Sequence, residues 1–95
     1  MSDAEITFEN IESPSLRLQL KEMIEDITQL SPSDAAVRAT FHFIHNRFLA
    51  EVRIASESVY MQVGESASAI GELLSGVKGK LMSQIVDWRS QRFAV

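Results

Sequence analysis

His42 and His45 are the residues of this 95-residue chain best suited by type to acid–base or metal chemistry. They lie three apart, on what reads as a strand and the turn after it. Strand side chains alternate between two faces, so this spacing points the pair in opposite directions and they cannot share a metal ion. Each is read as solvated. The serines offer no nucleophile, since none sits in a Gly-x-Ser-x-Gly elbow with a base. The glycines of GESASAIGELLSGVKGK are spaced too loosely for a phosphate loop, and no lysine follows them at the required place. No carboxylate pair is fixed on a cleft for general acid and base work. These residue types argue against an enzyme and call for no cofactor, metal or small-molecule substrate.

The basic residues remain. Nine Lys and Arg stand against thirteen Asp and Glu, giving a net charge of −4. Residues 1–34 hold Arg17 and Lys21 against eight acids, whereas residues 35–95 hold seven bases against five acids. A dedicated polyanion binder is usually basic overall, so only a local basic patch is compatible with this balance. With no cysteine there are neither disulfides nor thiolate metal sites, which fits a reducing cytosol. The opening MSDAEITFEN lacks a basic stretch followed by an apolar run, so it does not read as a secretory signal. No apolar run approaches the ~20 residues that span a bilayer. The expectation is a cytoplasmic protein without membrane contact.

Something must position these side chains, and three alternating segments supply it. Val37, Ala39, Phe41 and Phe43 alternate with Arg38, Thr40, His42 and Ile44; Phe48, Ala50, Val52 and Ile54 alternate with Leu49, Glu51 and Arg53; Val59, Met61 and Val63 alternate with Ser58, Tyr60 and Gln62. A tight turn at His45-Asn46 sets Phe43 against Phe48, Phe41 against Ala50, Ala39 against Val52 and Val37 against Ile54. A second turn around Ser56-Glu57 sets Ile54 against Val59, Val52 against Met61 and Ala50 against Val63. Each apolar residue then meets another on one face of a meander. The other face holds Arg38, Thr40, His42, Glu51, Arg53, Tyr60 and Gln62, with Arg53 opposite Tyr60 and Glu51 between Thr40 and Gln62. It reads as a solvated face, or as a binding face that combines arginines with one aromatic.

A sheet apolar on one side needs a cover. Ile6 and Phe8 alternate with Glu5, Thr7 and Glu9 as a short first strand. Ser13-Pro14 is an N-cap with proline at the first helical position, and Leu16, Leu20, Met23, Ile24, Ile27 and Leu30 make one apolar stripe, with Leu18 left outside. The strand, helix, strand order suggests a right-handed crossover with the first two strands parallel. After Val63 and a glycine, Glu65-Ser66 reads as the start of a last helix whose apolar face is Ile70, Leu73, Leu74, Val77, Leu81, Ile85 and Trp88. The expectation is an α+β fold: one domain over 1–95, ordered from about 4 to 90, of β-α-β-β-β-α order. It has a four-stranded mixed sheet and both helices on one face.

The back of that last helix is unusual. Ser68, Gly71, Ser75, Gly79, Met82 and Val86 fall opposite the apolar stripe, with Gly76 and Ser83 beside them. Interior glycines cost a solvated helix roughly 1 kcal/mol each relative to alanine. Either the core face alone holds the helix, or the small residues form a smooth groove for a partner helix or a second copy.

The order of elements resembles the ribosome hibernation promotion and ribosome-associated inhibitor family, also called sigma-54 modulation proteins. The likeness runs from EITFENI to the last helix. It is carried by SLRLQLKEMIEDI, by SAIGELLSGVKGKLMSQI and by the A-I-x-x-L-L pattern at Ala69 to Leu74. The resemblance implies a non-catalytic stress-response protein that binds rRNA in the decoding region of the small ribosomal subunit and silences idle ribosomes. It does so through basic residues on the outer faces of both helices. Positions basic in the family fall here on Gly76, Gly79 and Ser83, and on Met23 and Asp26. The RNA-binding candidates that remain are Lys21, Arg38, Lys78, Lys80, Arg89 and Arg92. Alternatively, the scaffold has become a protein-interaction or self-assembling module through Ser68, Gly71, Ser75, Gly76, Gly79 and Ser83. A continuous positive outer helical face favours the first reading; a neutral or negative one favours the second.

Overall fold

The structure, a computed structural model, describes residues 3–93, with side chains over 4–91. Its elements are β1 (Asp3–Glu9), α1 (Pro14–Leu30), β2 (Ala36–Ile44), β3 (Arg47–Ala55), β4 (Tyr60–Ala67) and α2 (Ile70–Phe93). His45 and Asn46 both take positive φ, 50° and 61°, which is what a two-residue hairpin turn with the right twist requires. That turn fixes the expected β2–β3 register: Phe43 with Phe48, Phe41 with Ala50, Ala39 with Val52 and Val37 with Ile54. β1 pairs parallel to β2, and the sheet order is β1-β2-β3-β4.

The second hairpin departs from expectation by one residue at the turn. Ser56 Oγ accepts the N–H groups of Ser58 and Val59, at 3.2 and 3.1 Å, and the Ser56 N–H donates to the Val59 carbonyl at 2.9 Å. The loop is therefore Glu57-Ser58, and the pairing slides by two: Ile54 meets Met61, Val52 meets Val63, Arg53 meets Gln62, and Glu51 lies between Thr40 and Gly64. A slide of two preserves which face each side chain takes, so the core is unchanged. β4 also runs on through Gly64, Glu65 and Ser66 to Ala67, where the helix was expected to begin. Its period of two continues, with Ala67 buried and Gly64 and Ser66 exposed, and α2 starts only at Ile70.

α1 begins as its sequence dictates, with Ser13 as N-cap and Pro14 at its first position; the Leu16 N–H donates to Ser13 Oγ at 3.4 Å. Arg17 stacks over the Phe8 ring at 5.4 Å and its Nε donates to the Ile11 carbonyl at 2.5 Å, tying the flank of α1 to β1. α1 lies against β1, α2 against β3 and β4, and the helices touch each other. Between the layers sit Leu20, Ile24, Ile27, Val37, Phe41, Val52, Ile54, Met61, Leu73, Val77, Leu81 and Ile85, all essentially removed from water. Each contributes roughly 1.5–3 kcal/mol of transfer free energy. Gln84 of α2 donates its side-chain N–H to the Gln62 carbonyl on the outer edge of β4, at 3.3 Å. Among the described residues no helix is long and apolar enough to cross a membrane.

Candidate functional site

The candidate basic residues do not share one surface. Arg38 belongs to the open face of the sheet, where its Nε lies 3.3 Å from Glu5, and that face is opposite the helices. Beside it the pattern is a ladder of opposite charges. Arg53 donates to Glu51 from Nε and Nη2 at 3.0 and 2.6 Å, and His42 Nδ1 lies 2.7 Å from Glu9. The Glu51 hydrogen bond and charge raise the Arg53 pKa above its ordinary value. Tyr60, 60% exposed, donates its hydroxyl to Gln62 at 3.3 Å. Arg38 and Arg53 are direct cross-strand neighbours, a pairing unfavourable on its own, and each has an acid beside it.

On the helix layer the other candidates divide again. Lys21 is one turn from Arg17, on the flank of α1 nearest β1. Lys78 lies on the far side, lining a cleft between α1 and α2 with Gln19, Glu22, Met23, Asp26 and Leu74. Glu22, Glu25 and Asp26 are exposed on α1 between these two lysines. Lys80 is on the β4 side of α2 and pairs with Glu65 at 2.9 Å. The Arg89 Nη2 donates to the Leu30 carbonyl at 3.4 Å, satisfying an orphan group at the end of α1. The side chain of Arg92 lies outside the described residues. Among the described residues there is thus no continuous row of positive charge on this layer.

Glu65 explains one of the glycines. It points inward from β4 toward α2, and a Cβ on Gly76 would meet its Oε2 at 2.8 Å. The hydrogen bond from Lys80, against the cost of partial burial, holds the Glu65 carboxyl below its usual pKa. Gly76 is therefore covered by the molecule's own carboxylate and is no part of an outward groove. Ser68 is exposed just before α2, and Gly71, Ser75, Gly79 and Ser83 are exposed along it; nothing lies within 4 Å of a Cβ placed on Gly71 or Gly79. Met23, one of the family's basic positions by the sequence match, is only 6% exposed and belongs to the core. The amphipathic stripe of α1 already included Met23, and that signal outranks the positional match. The Glu65–Lys80 pair had no sequence signal as long as Glu65 was read as a helix start.

Compared with known proteins, the chain matches no family model and no curated protein sequence. Solved structures do match. A ribosomal subunit interface protein from Coxiella burnetii superposes with a TM-score of 0.71 at 13% identity, over 95% of this chain and 99% of that one. The N-terminal domain of Thermus thermophilus protein Y superposes with a TM-score of 0.63 at 9% identity, over 90% and 94% of the two chains. Along nearly its whole length, then, this chain has the fold of a ribosomal subunit interface protein, and the resemblance read from the order of its elements holds at the level of fold.

Proposed function

We propose that the chain is a non-catalytic, ribosome-associated regulator of translation that binds the small ribosomal subunit in the cytoplasm. One observation carries this reading: the superposition runs end to end on a protein described as lying at the ribosomal subunit interface, with almost nothing left over on either side. Lys21, Lys78, Lys80, Arg89 and Arg92 of the helices are the bases to be tested first, with Arg38 as a control on the opposite face. The test is co-sedimentation with purified small subunits at low and at physiological salt. The protein is expected to pellet at low salt; its absence from the pellet there ends the proposal.

A second reading has its own support. The outer side of α1 carries Glu22, Glu25 and Asp26 against Lys21, and α2 adds only scattered bases among exposed Gly71, Ser75, Gly79 and Ser83. Phosphate contacts from Lys and Arg supply much of the affinity for RNA, so a layer this poor in them favours a protein-interaction or self-assembling module. Light scattering with Gly79→Glu addresses self-assembly through α2: an unchanged mass counts against that surface.

A further inference from the structure

Trp88 closes the apolar stripe of α2 and differs from the residues before it. Leu73, Val77, Leu81 and Ile85 are essentially removed from water, whereas Trp88 is only partly buried. It lines a cavity of about 490 Å³ at the end of the sheet away from the His45-Asn46 turn. Buried Pro32, with Ser33 and Asp34, comes from the loop between α1 and β2; Ser58 comes from the β3–β4 turn and Gln91 from α2. The volume is that of a small-ligand site, about 300–1,000 Å³. Two of its polar groups are already fixed. Asp34 Oδ2 accepts the Glu57 N–H at 3.0 Å, which pins the loop to the turn, and the Ser58 hydroxyl lies 3.2 Å from Ser56 Oγ. Among the described residues of the lining, Asp34 is the only charged one. We infer that this cavity binds a guanidinium group, with the Trp88 indole as its seat and the Asp34 carboxylate as the acceptor of its N–H groups. The inference stands apart from the ribosome reading.

The pairing of one aromatic with one carboxylate selects this chemistry. A cation is attracted to an indole ring and to a carboxylate at once. A guanidinium is planar, stacks on aromatic rings and presents its N–H groups as a fork that matches a carboxylate, which an ammonium group does not. The Ser33 and Ser58 hydroxyls and the Gln91 amide add acceptors for its remaining N–H groups. A phosphate or a ligand carboxylate would meet Asp34 as a like charge. An uncharged ring would keep the contact with Trp88 and lose the ionic attraction.

Trp88 is the one tryptophan of the chain, so its fluorescence reports this cavity alone. The full chain is titrated with N-acetyl-arginine amide, with its citrulline counterpart (a neutral urea of the same shape) and with guanosine. The arginine compound is expected to give a saturable change, and the citrulline compound to bind about tenfold more weakly or worse. Asp34→Asn is expected to cost the same factor of about ten in arginine affinity. Glu57→Gln makes the same change in net charge, leaves the Glu57 N–H in place and alters affinity by about twofold at most. Circular dichroism checks that both variants fold; if Asp34→Asn does not, arginine against citrulline on the unaltered chain decides. Four results overturn the inference: no saturable change, equal affinity for the arginine and citrulline compounds, equal loss in the two variants, or guanosine bound more tightly than the arginine compound. The same arginine within a neutral alanine peptide names the source. Tighter binding than the amide assigns the cavity to an arginine side chain of a protein partner, and weaker binding to a small guanidinium compound; either sustains the inference.

Discussion

Gly76 and Gly79 sit three residues apart on one helix and face opposite fates. A methyl group at Gly79 meets nothing, so Gly79→Ala removes the entropy cost of a helical glycine and is expected to raise unfolding stability by about 0.5–1 kcal/mol in a denaturant titration. At Gly76 the same methyl meets the Glu65 carboxylate, the far end of a flexible side chain, so Gly76→Ala is expected to gain less than Gly79→Ala. A branched Gly76→Val should lose stability outright. Glu65 makes a second prediction. Its folded pKa is depressed, so the stability it adds is present above the ordinary value of 4.5 and is lost as pH falls through the lower, folded one. The difference between the wild type and Glu65→Gln should hold at neutral pH and shrink in acid, below about pH 4.5. A gap that widens on acidification would show that Lys80 is not what stabilises the carboxylate.

At the scale of elements, alternation and turn chemistry decided most of the outcome. The β2–β3 register could be read because His45-Asn46 tolerates positive φ and because four apolar pairings agree on one alignment. The β3–β4 register could not, since a shift of two leaves every face correct and hydrophobic pattern alone cannot tell the two apart. What decides is Ser56, whose hydroxyl gathers two backbone N–H groups, and that is a contact between residues of the turn itself. Ser56→Ala is therefore expected to cost about 1 kcal/mol and to raise hydrogen exchange at Ser58 and Val59 selectively. Normal protection there would mean that the strand pairing alone holds the loop. The end of β4 was missed for a related reason: an inward Glu65 breaks the apolar alternation, and only Lys80, from another element, makes that carboxylate tolerable.

Over the whole molecule, the layering of a polar sheet face, a shared core and a helix layer was legible from the apolar residues, which vary little in what they permit. The distribution of bases over the helix layer was not legible. Strand alternation put Arg38 on the polar face of the sheet, but net charge and position along the chain do not say that Lys80 and Arg89 hold other elements of the fold. With Lys21 and Lys78 the main uncommitted bases of the described helix layer, any small-subunit binding should depend weakly on salt. A slope of log affinity against log salt of about −1 to −2 is expected, where a row of basic side chains would give a much steeper one. A steep slope would mean that Lys80 and Arg89 leave their partners on binding.

Gln84 reaching across to the Gln62 carbonyl has a consequence for how such molecules crowd together. On one border of the sheet the chain's own amide occupies one outward carbonyl of β4, while the border at β1 carries no neighbouring strand among the described residues. A strand added at β4 would have to displace that amide, so pairing there gives up one hydrogen bond that pairing at β1 does not. Gln84→Leu frees that carbonyl and makes the two borders alike in this respect.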